Sequence, residues 1–514
     1  MDNEIYLPAE LFFPKCTPFG LTFDDVSLAT RYSELLPKDV RIDAKISEEI
    51  TLSIPIISSD MDTVTESDMA IAMALNGGLG LIHYNMPLKQ QIKELTRVKH
   101  HVHGLIQNPI TITADKFVGD VLRLIEQKNF QFRTFPIVDE KGKLIGLLPG
   151  RVVKDRYKHK KVTEGMLERN EVYTVRHSEV GDDPITTADN FFSEHMGIHK
   201  LLVVDEDDKL QGLYTLSDIE QIIGENNENL KPARDSSFRL RCGVAVSIPR
   251  DSNGILEKEN LLVHIGELIE KGLDIVAIST AHGHTKSVGE AVEIIREAFP
   301  NLCIMAGNVT STEGVRFLAE AGANVIKIGQ GPGSICTTRL VAGVGIPQMS
   351  ALYSAQKAQK EHNVSIIADG GINKSGDIVK ALTLSNAVIC GGLLAGCKES
   401  PGRIVEIEGK YYKQYRGMGS LEAMKHGSAS RYGHNKKQIT SKNAPEGIEA
   451  LKEVSSSVSE TINNLTGGIK AGLGYLGAEN LDILKKQARF VRVTPAGQRE
   501  SAPHDVIQVK SNEF

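Results

Sequence analysis

Short apolar runs alternate with amphipathic stretches through the second half of the chain. The run Leu273-Asp274-Ile275-Val276-Ala277-Ile278 predicts a buried strand, and the amphipathic stretch over 287–298 a helix. A strand over 302–306, a helix over 312–320 and a strand over 324–328 follow. Beyond a glycine-rich loop, helices are predicted over 351–361 and 377–384, and strands over 364–368 and 387–390. Such alternation implies a parallel α/β sheet, because parallel neighbours need a crossover segment between them. Several of these strands end in Gly or a small polar residue, which is where ligands bind in barrels and doubly wound sheets alike. After Val493 no periodicity is visible.

A repeat breaks the series. Phe135-Pro136-Ile137-Val138-Asp139-Glu140 with Lys143-Leu144 and Gly146-Leu147 recurs as Leu201-Leu202-Val203-Val204-Asp205-Glu206 with Lys209-Leu210 and Gly212-Leu213, an offset of 66 residues. Each copy reads as strand, polar turn, strand. The second continues into Thr215-Leu216-Ser217-Asp218, a helix-capping sequence, whereas the first reads Leu148-Pro149-Gly150-Arg151. The simplest reading is a two-copy module over about 101–223, set within a barrel whose pieces are 1–100 and 224–514. The polar stretch 224–237 reads as the linker back, and the basic stretch 426–444 as a mobile lid.

At 514 residues the chain needs two or more domains. Hydrophobic residues make up 41 %, Trp is absent, and 47 glycines suit many tight turns, so an aliphatic core is expected. A net charge of -6 argues against nucleic acid as the main partner. The six cysteines form no C-x-x-C pair, and a disulfide framework does not suit so long a chain. The first 14 residues lack a basic and apolar leader pattern, and no apolar run reaches the ~18 residues a membrane span requires. A reduced, cytoplasmic setting without membrane contact is therefore expected.

The strongest local signal is Gly329-Gln330-Gly331-Pro332-Gly333-Ser334-Ile335-Cys336-Thr337-Thr338-Arg339. A glycine-rich loop after a strand exposes backbone groups to a ligand or ion, and a cysteine there can act as a nucleophile. Asp369-Gly370-Gly371 and Gly391-Gly392 each end a later strand, where barrel amides commonly bind phosphate. The Asp369 carboxylate can accept two ribose hydroxyls. Tyr415-Arg416-Gly417-Met418-Gly419-Ser420 is a further glycine-rich turn.

Together with Leu21-Thr22-Phe23-Asp24-Asp25-Val26, Met61-Asp62-Thr63-Val64-Thr65-Glu66, Ala368 to Ile372 and Glu500 to Asp505, these segments resemble the IMP dehydrogenase/GMP reductase family nearly end to end. Ile82-His83-Tyr84-Asn85-Met86, the Tyr415–Ser420 turn and Arg431-Tyr432 before Pro445-Glu446-Gly447 resemble its dehydrogenase branch. The resemblance implies a (β/α)8 TIM barrel with an inserted pair of cystathionine-β-synthase (CBS) domains. It implies oxidation of IMP to XMP with NAD and water, the committed step of guanine nucleotide synthesis. A catalytic loop over 329–341 and a flap over about 420–450 are implied with it.

Carried over residue by residue, the resemblance makes Cys336 the nucleophile at C2 of the purine and Arg431 the base for the hydrolytic water, with Thr338 and Tyr432 orienting it. Ser334, Gly370, Gly371, Gly391, Gly392 and Tyr415 would surround the phosphate, and Asp369 the ribose. Gly417, Met418, Gly419 and Glu446 would face the base. Ser279, Asn308 and Gly329 would lie on the cofactor side. Carbonyls of Gly331, Gly333 and Cys336 would bind potassium, completed by Glu500, Ser501 and Ala502 of a neighbouring subunit in a homotetramer, or in an octamer of stacked tetramers. The CBS pair would bind adenine or guanine nucleotides between copies bearing Asp139 and Asp205 at matching positions.

Four positions depart from the family pattern. Ser279 stands where an aspartate is usual, Gly392 where dehydrogenases usually carry serine and reductases glycine, Asp60 replaces a usual proline, and Ala450 a usual glycine. Two alternatives therefore stay open: a GMP reductase on the same barrel using NADPH, and a nucleotide-sensing protein with a weakened site.

Overall fold

The computed structural model describes residues 6–506 apart from 17–18, 102–103, 108, 129, 131, 182, 227–229, 252–253 and 433–443. The chain divides into two compact units, one of Met1–Lys99, Leu230–Ala233 and Leu240–Phe514, the other of His100–Asn229 and Arg234–Arg239.

The larger unit is a closed barrel of eight parallel strands in sequential order. They are β1 (Ile56–Ser58), β2 (Leu79–Ile82), β3 (Cys242–Val246), β4 (Ile275–Ser279), β5 (Cys303–Val309), β6 (Val325–Ile328), β7 (Ser365–Asp369) and β8 (Ala387–Cys390). Nearly every strand residue is buried, which explains why these strands read as continuous apolar runs rather than alternating ones. Helices such as Lys286–Ala298 and Thr312–Glu320 bury one face against them. The Ser311 hydroxyl accepts from Gly314 N–H at 3.0 Å and fixes the start of the second helix. An N-terminal helix, Ala9–Lys15, brings Phe13 into a stack with Tyr353, ring centroids 4.5 Å apart.

Three expectations change. The strand expected over 302–306 runs on to Val309 through a register shift between Gly307 and Val309. That irregularity turns Asn308 toward the barrel mouth, a common use of a bulge. The tail is not featureless: Pro495–Glu500 forms a short helix capped by Thr494, whose hydroxyl accepts from Gly497 N–H at 3.2 Å. An unforeseen antiparallel sheet joins Ile404–Ile407, Lys410–Arg416 and Glu449–Glu453. Its inward positions include Lys413, a buried lysine whose ammonium donates to the carbonyls of Cys397 (3.0 Å) and Lys398 (2.9 Å), so no apolar alternation announces the strand. Within the expected lid, residues up to Tyr432 form the end of a helix, Leu421–His426, and a tight turn, Ser428–Tyr432. The stretch 433–443 lies outside the described residues, as do 227–229 of the expected linker.

The smaller unit contains two four-stranded sheets with the same pairing pattern, the outer strand following the hairpin in one (Leu167–Glu168) and preceding it in the other (Ile106–Gln107). In each, a first strand lies parallel to the hairpin's leading strand: Ile112–Thr113 beside Phe135–Val138, and Thr174–Arg176 beside Lys200–Val204. The hairpins share a register shift at Val138 and Val204. Their turns match too: Asp139 Oδ1 accepts from the N–H groups of Lys141 and Lys143, both at 2.8 Å, and Asp205 Oδ1 from Asp207 and Lys209 at 3.0 and 2.9 Å. The two tips pair, Leu144 N–H donating to Asp208 C=O at 2.9 Å. After the second hairpin the Thr215 hydroxyl accepts from Asp218 N–H at 3.2 Å and starts the helix Leu216–Asn226. The first hairpin is followed by single turns, Asp155–Tyr157 and Val162–Glu164.

Beneath the barrel strands, Lys99 donates to Asp274 at 2.6 Å with both side chains buried, and Asp274 also accepts from Cys242 N–H at 2.7 Å. Removing one partner of a buried pair strands the other. Lys99→Ala should lower the barrel's unfolding free energy by about 3 kcal/mol, the low end of the range for such losses, because Arg241 remains 3.3 Å from Asp274. The urea midpoint of the full chain measures it.

Candidate functional site

A cleft with about 980 Å³ of empty volume, open to solvent, lies at the C-terminal ends of the barrel strands. That is the face where barrels of this kind carry ligands. The loop from Gly329 to Thr338 forms one wall, following β6. Gly329 has φ +146°, and a Cβ there would lie 2.2 Å from the Asp369 carbonyl, so only glycine lets β6 and β7 end this close together. Arg339 pins the loop from behind, donating to Gln330 C=O at 3.2 Å and Ile346 C=O at 2.6 Å.

Cys336 stands in this loop half-buried, whereas the other five cysteines are buried. Burial pushes those other thiols up, Cys303 to about 11 and Cys390 to about 12. The Cys336 sulfur lies 3.2 Å from the Thr338 hydroxyl, which donates to Glu446 Oε2 at 2.8 Å. Since the hydroxyl proton goes to the carboxylate, its oxygen is free to accept from a thiol or a water. Glu446 is held by backbone: its N–H donates to Gly419 C=O at 3.1 Å, and its C=O accepts from Thr337 N–H at 3.1 Å.

Glycines and hydroxyls converge beside this loop. Gly370, Gly371, Gly391 and Gly392 line the cleft beside Ser334 and the buried Tyr415. A Cβ on Gly392 would stand 3.3 Å from the Ser334 oxygen and 3.5 Å from the Tyr415 oxygen, so the glycine fits a space already narrowed by two hydroxyls. Burial raises the Tyr415 phenol, which keeps it a neutral donor.

Asp369 ends β7 next to Asn308, which donates to it at 2.8 Å and to Gly329 C=O at 2.9 Å. Among the described residues the buried Asn308 Oδ1 atom has no hydrogen-bond partner. Below them lies a charged group that sequence reasoning missed. Lys327 on β6, fully buried, donates to Asp60 at 2.8 Å and Ser279 at 2.8 Å and sits 3.2 Å from Asp369. A lone lysine within Val325-Ile326-Lys327-Ile328 was the available signal, since a strand so apolar does not bury a charge without partners. Ser279, expected on the cofactor side, does not line the cleft; it is 2 % exposed and its hydroxyl serves Lys327.

The turn Ser428–Tyr432 closes over this group. Its backbone is tied down by Ala281 N–H donating to Arg431 C=O at 3.0 Å and by the Ser428 hydroxyl donating to Met418 C=O at 2.6 Å. Arg431 donates to Asp60 at 3.1 Å. Burial alone would raise the Asp60 carboxyl, but Lys327 and Arg431 outweigh it and hold it well below the usual range. Burial opposes the Arg431 charge, yet Asp60 lifts that guanidinium above its ordinary value. Burial also raises Tyr432, and Tyr84 to about 12.

Of the residues singled out in the sequence, the cleft gathers Cys336, Thr338, Glu446, Ser334, Asp369, Gly370, Gly371, Gly391, Gly392, Tyr415, Gly417, Met418, Asn308, Gly329, Gly331, Gly333, Arg431 and Tyr432. Gly419 stands just behind, with no room for a side chain beside the Tyr432 ring. Glu500, Ser501 and Ala502 do not line the cleft; they are exposed at the end of the tail helix. Among the described residues no group of three or more His, Cys, Asp or Glu could hold a metal, and no helix is long and apolar enough to cross a membrane.

The model of the IMP dehydrogenase / GMP reductase domain matches residues 20–504. Inosine-5'-monophosphate dehydrogenase of Halalkalibacterium halodurans is 45 % identical over 488 residues, 95 % of this chain and 96 % of that protein. The enzymes of the same description from Aquifex aeolicus and Bacillus subtilis are 43 % and 42 % identical, covering 95 % and 96 % of this chain and 96 % and 97 % of their own. A crystal structure of a cysteine-to-alanine variant of GMP reductase from Trypanosoma brucei, in complex with guanosine 5'-monophosphate, superposes with a TM-score of 0.82 at 31 % identity, covering 96 % of this chain and all of that one. With a match that spans the barrel, the cysteine loop and the tail, the chain belongs to the IMP dehydrogenase/GMP reductase family.

Proposed function

We propose that the chain oxidises IMP to XMP with NAD and water through a covalent adduct on Cys336. The observation that carries this reading is the half-buried thiol 3.2 Å from a threonine hydroxyl already committed to Glu446, at the head of a cleft that also holds Asp369 and the glycine cradle. Ser334, Tyr415 and the amides of Gly371 and Gly392 bind the phosphate, and Asp369 the ribose hydroxyls. Met418, Gly419 and Glu446 face the base. With the nucleotide so fixed, the sulfur adds to C2, making that carbon tetrahedral and a better hydride donor. NAD supplies the acceptor for that hydride. The orphaned Oδ1 of Asn308 fits a carboxamide N–H on the cofactor side, beside Gly329. A water activated by Arg431 and steered by Thr338 and Tyr432 then releases XMP and restores the thiol.

The loop carbonyls of Gly331, Gly333 and Cys336 suit a large monovalent cation. The exposed Glu500–Ala502 segment of a neighbouring subunit would complete the site for potassium, in a homotetramer or a larger stack. The smaller unit is a tandem CBS module that takes adenine or guanine nucleotides between its repeats, and the enzyme works in the cytoplasm.

With IMP and NAD the chain should produce NADH, while GMP should not consume NADPH; the reverse pattern overturns the reading. Cys336→Ala should abolish turnover and still bind IMP, as calorimetry would register. Arg431→Ala should slow adduct hydrolysis by about 10²–10⁴-fold and leave hydride transfer much faster, giving a burst of NADH before slow turnover. Rates should rise on replacing sodium by potassium, and truncation after Arg499 should remove that rise. Deleting 101–223 and closing the gap with a short linker should keep IMP oxidation and remove any response to ATP or GTP.

A further inference from the structure

We propose that Asp60 is a positioning residue: from the floor of the barrel mouth its carboxylate holds the Arg431 guanidinium inside the cleft. The proposal rests on the reading above that Arg431 serves hydrolysis of the adduct.

Asp60 follows β1, and its side chain is fully buried. Its two oxygens do different things. Oδ1 accepts from Lys327 at 2.8 Å, and Oδ2 accepts from Arg431 at 3.1 Å. Lys327 is in turn 3.2 Å from Asp369, so one chain of contacts links the ribose-side carboxylate to the turn that carries Arg431. Two buried cations, Lys327 and Arg431, are matched by two carboxylates, Asp60 and Asp369. A buried group of this kind is stable only when each charge is compensated.

The backbone of the turn is anchored independently of Asp60, through Ala281 and Met418. The Arg431 side chain is not. Among the described residues its ion pair is with Asp60, and its neighbours Tyr84 and Tyr432 are neutral phenols. Removing the charge at 60 should therefore free the guanidinium without unseating the turn. Asparagine keeps the size of the side chain and an oxygen for Lys327, but turns an N–H toward an N–H at Arg431.

A residue that served only as counter-ion to Lys327 would change folding or IMP affinity and leave the two chemical steps in their original ratio. The positioning role alters that ratio. In Asp60→Asn, the NADH burst at saturating IMP and NAD should stay within a few-fold of the parent, while steady-state turnover falls about tenfold or more, short of the 10²–10⁴-fold span for losing the base altogether. Quenched samples should show the covalent Cys336 adduct by intact-protein mass. Because Asp60 acts through Arg431, Asp60→Asn should cost little further rate on an Arg431→Ala background. If Asp60→Asn does not fold, Asp60→Asn with Lys327→Met removes cation and counter-ion together, and the same burst ratio is read. Burst and turnover slowed equally, or effects that multiply in the double variant, would overturn the proposal. Absence of adduct in Arg431→Ala itself would instead overturn the reading of Arg431.

Discussion

The barrel mouth depends on one buried ammonium. Lys327 reaches up from β6 and touches groups from three other strands: Asp60 after β1, Ser279 at the end of β4 and Asp369 at the end of β7. Dispersion and hydrophobic burial hold the eight strands together, but neither is directional. The charge is. It fixes Asp369 beside Asn308, which fixes the close approach of β7 to Gly329, from which the cysteine loop springs. A fully buried charge tolerates few arrangements of its partners, so the loops above it inherit a defined floor.

Burial separates Cys336 from the other cysteines. Five of the six cysteines lie inside the fold, where burial favours the neutral thiol. Cys336 stands in a loop whose backbone is already committed, its own N–H to Gly333 C=O and that of Thr337 to Glu446 C=O, both at 3.1 Å. The sulfur is left accessible with a hydroxyl beside it. Reactivity follows from exposure and neighbours rather than from residue type.

Much of this was legible in the sequence where apolar periodicity is strong. The helix over 312–320 and the strand over 387–390 occur as read, because burial alone decides such segments. The matched hairpins were legible because the turn chemistry of Asp139 and Asp205 repeats with the strands. Elements whose inward residues are polar escaped. Lys410–Arg416 buries Lys413 on backbone carbonyls, so its pattern resembles a surface loop. Pro495–Glu500 is only a capped turn and a half, too short for a period to register. The Gly–Cys loop and the glycine pairs were readable as a site, since glycine there answers a backbone need visible in the sequence. The pairing of Lys327 with Asp60 was not, because they lie 267 residues apart and meet only when the barrel closes.

Departures from a family pattern look different once their neighbours are known. Ser279 in place of an aspartate, taken alone, suggests a weakened cofactor grip. In the structure that serine hydroxyl is directed at Lys327, and the same ammonium takes the Asp60 carboxylate. The two positions meet on one cation, to which the residue at 60, after β1, brings a carboxylate and the end of β4 a hydroxyl. Had both positions carried a carboxylate, three acids with Asp369 would crowd two bases, and one would have to stay protonated. Gly392 shows the steric side of the same site, since a Cβ there would stand 3.3 Å from the Ser334 oxygen, close enough that this hydroxyl would have to shift slightly. Substitutions that each weaken a site in isolation can together conserve its charge and volume, and those are the quantities a closed barrel holds fixed.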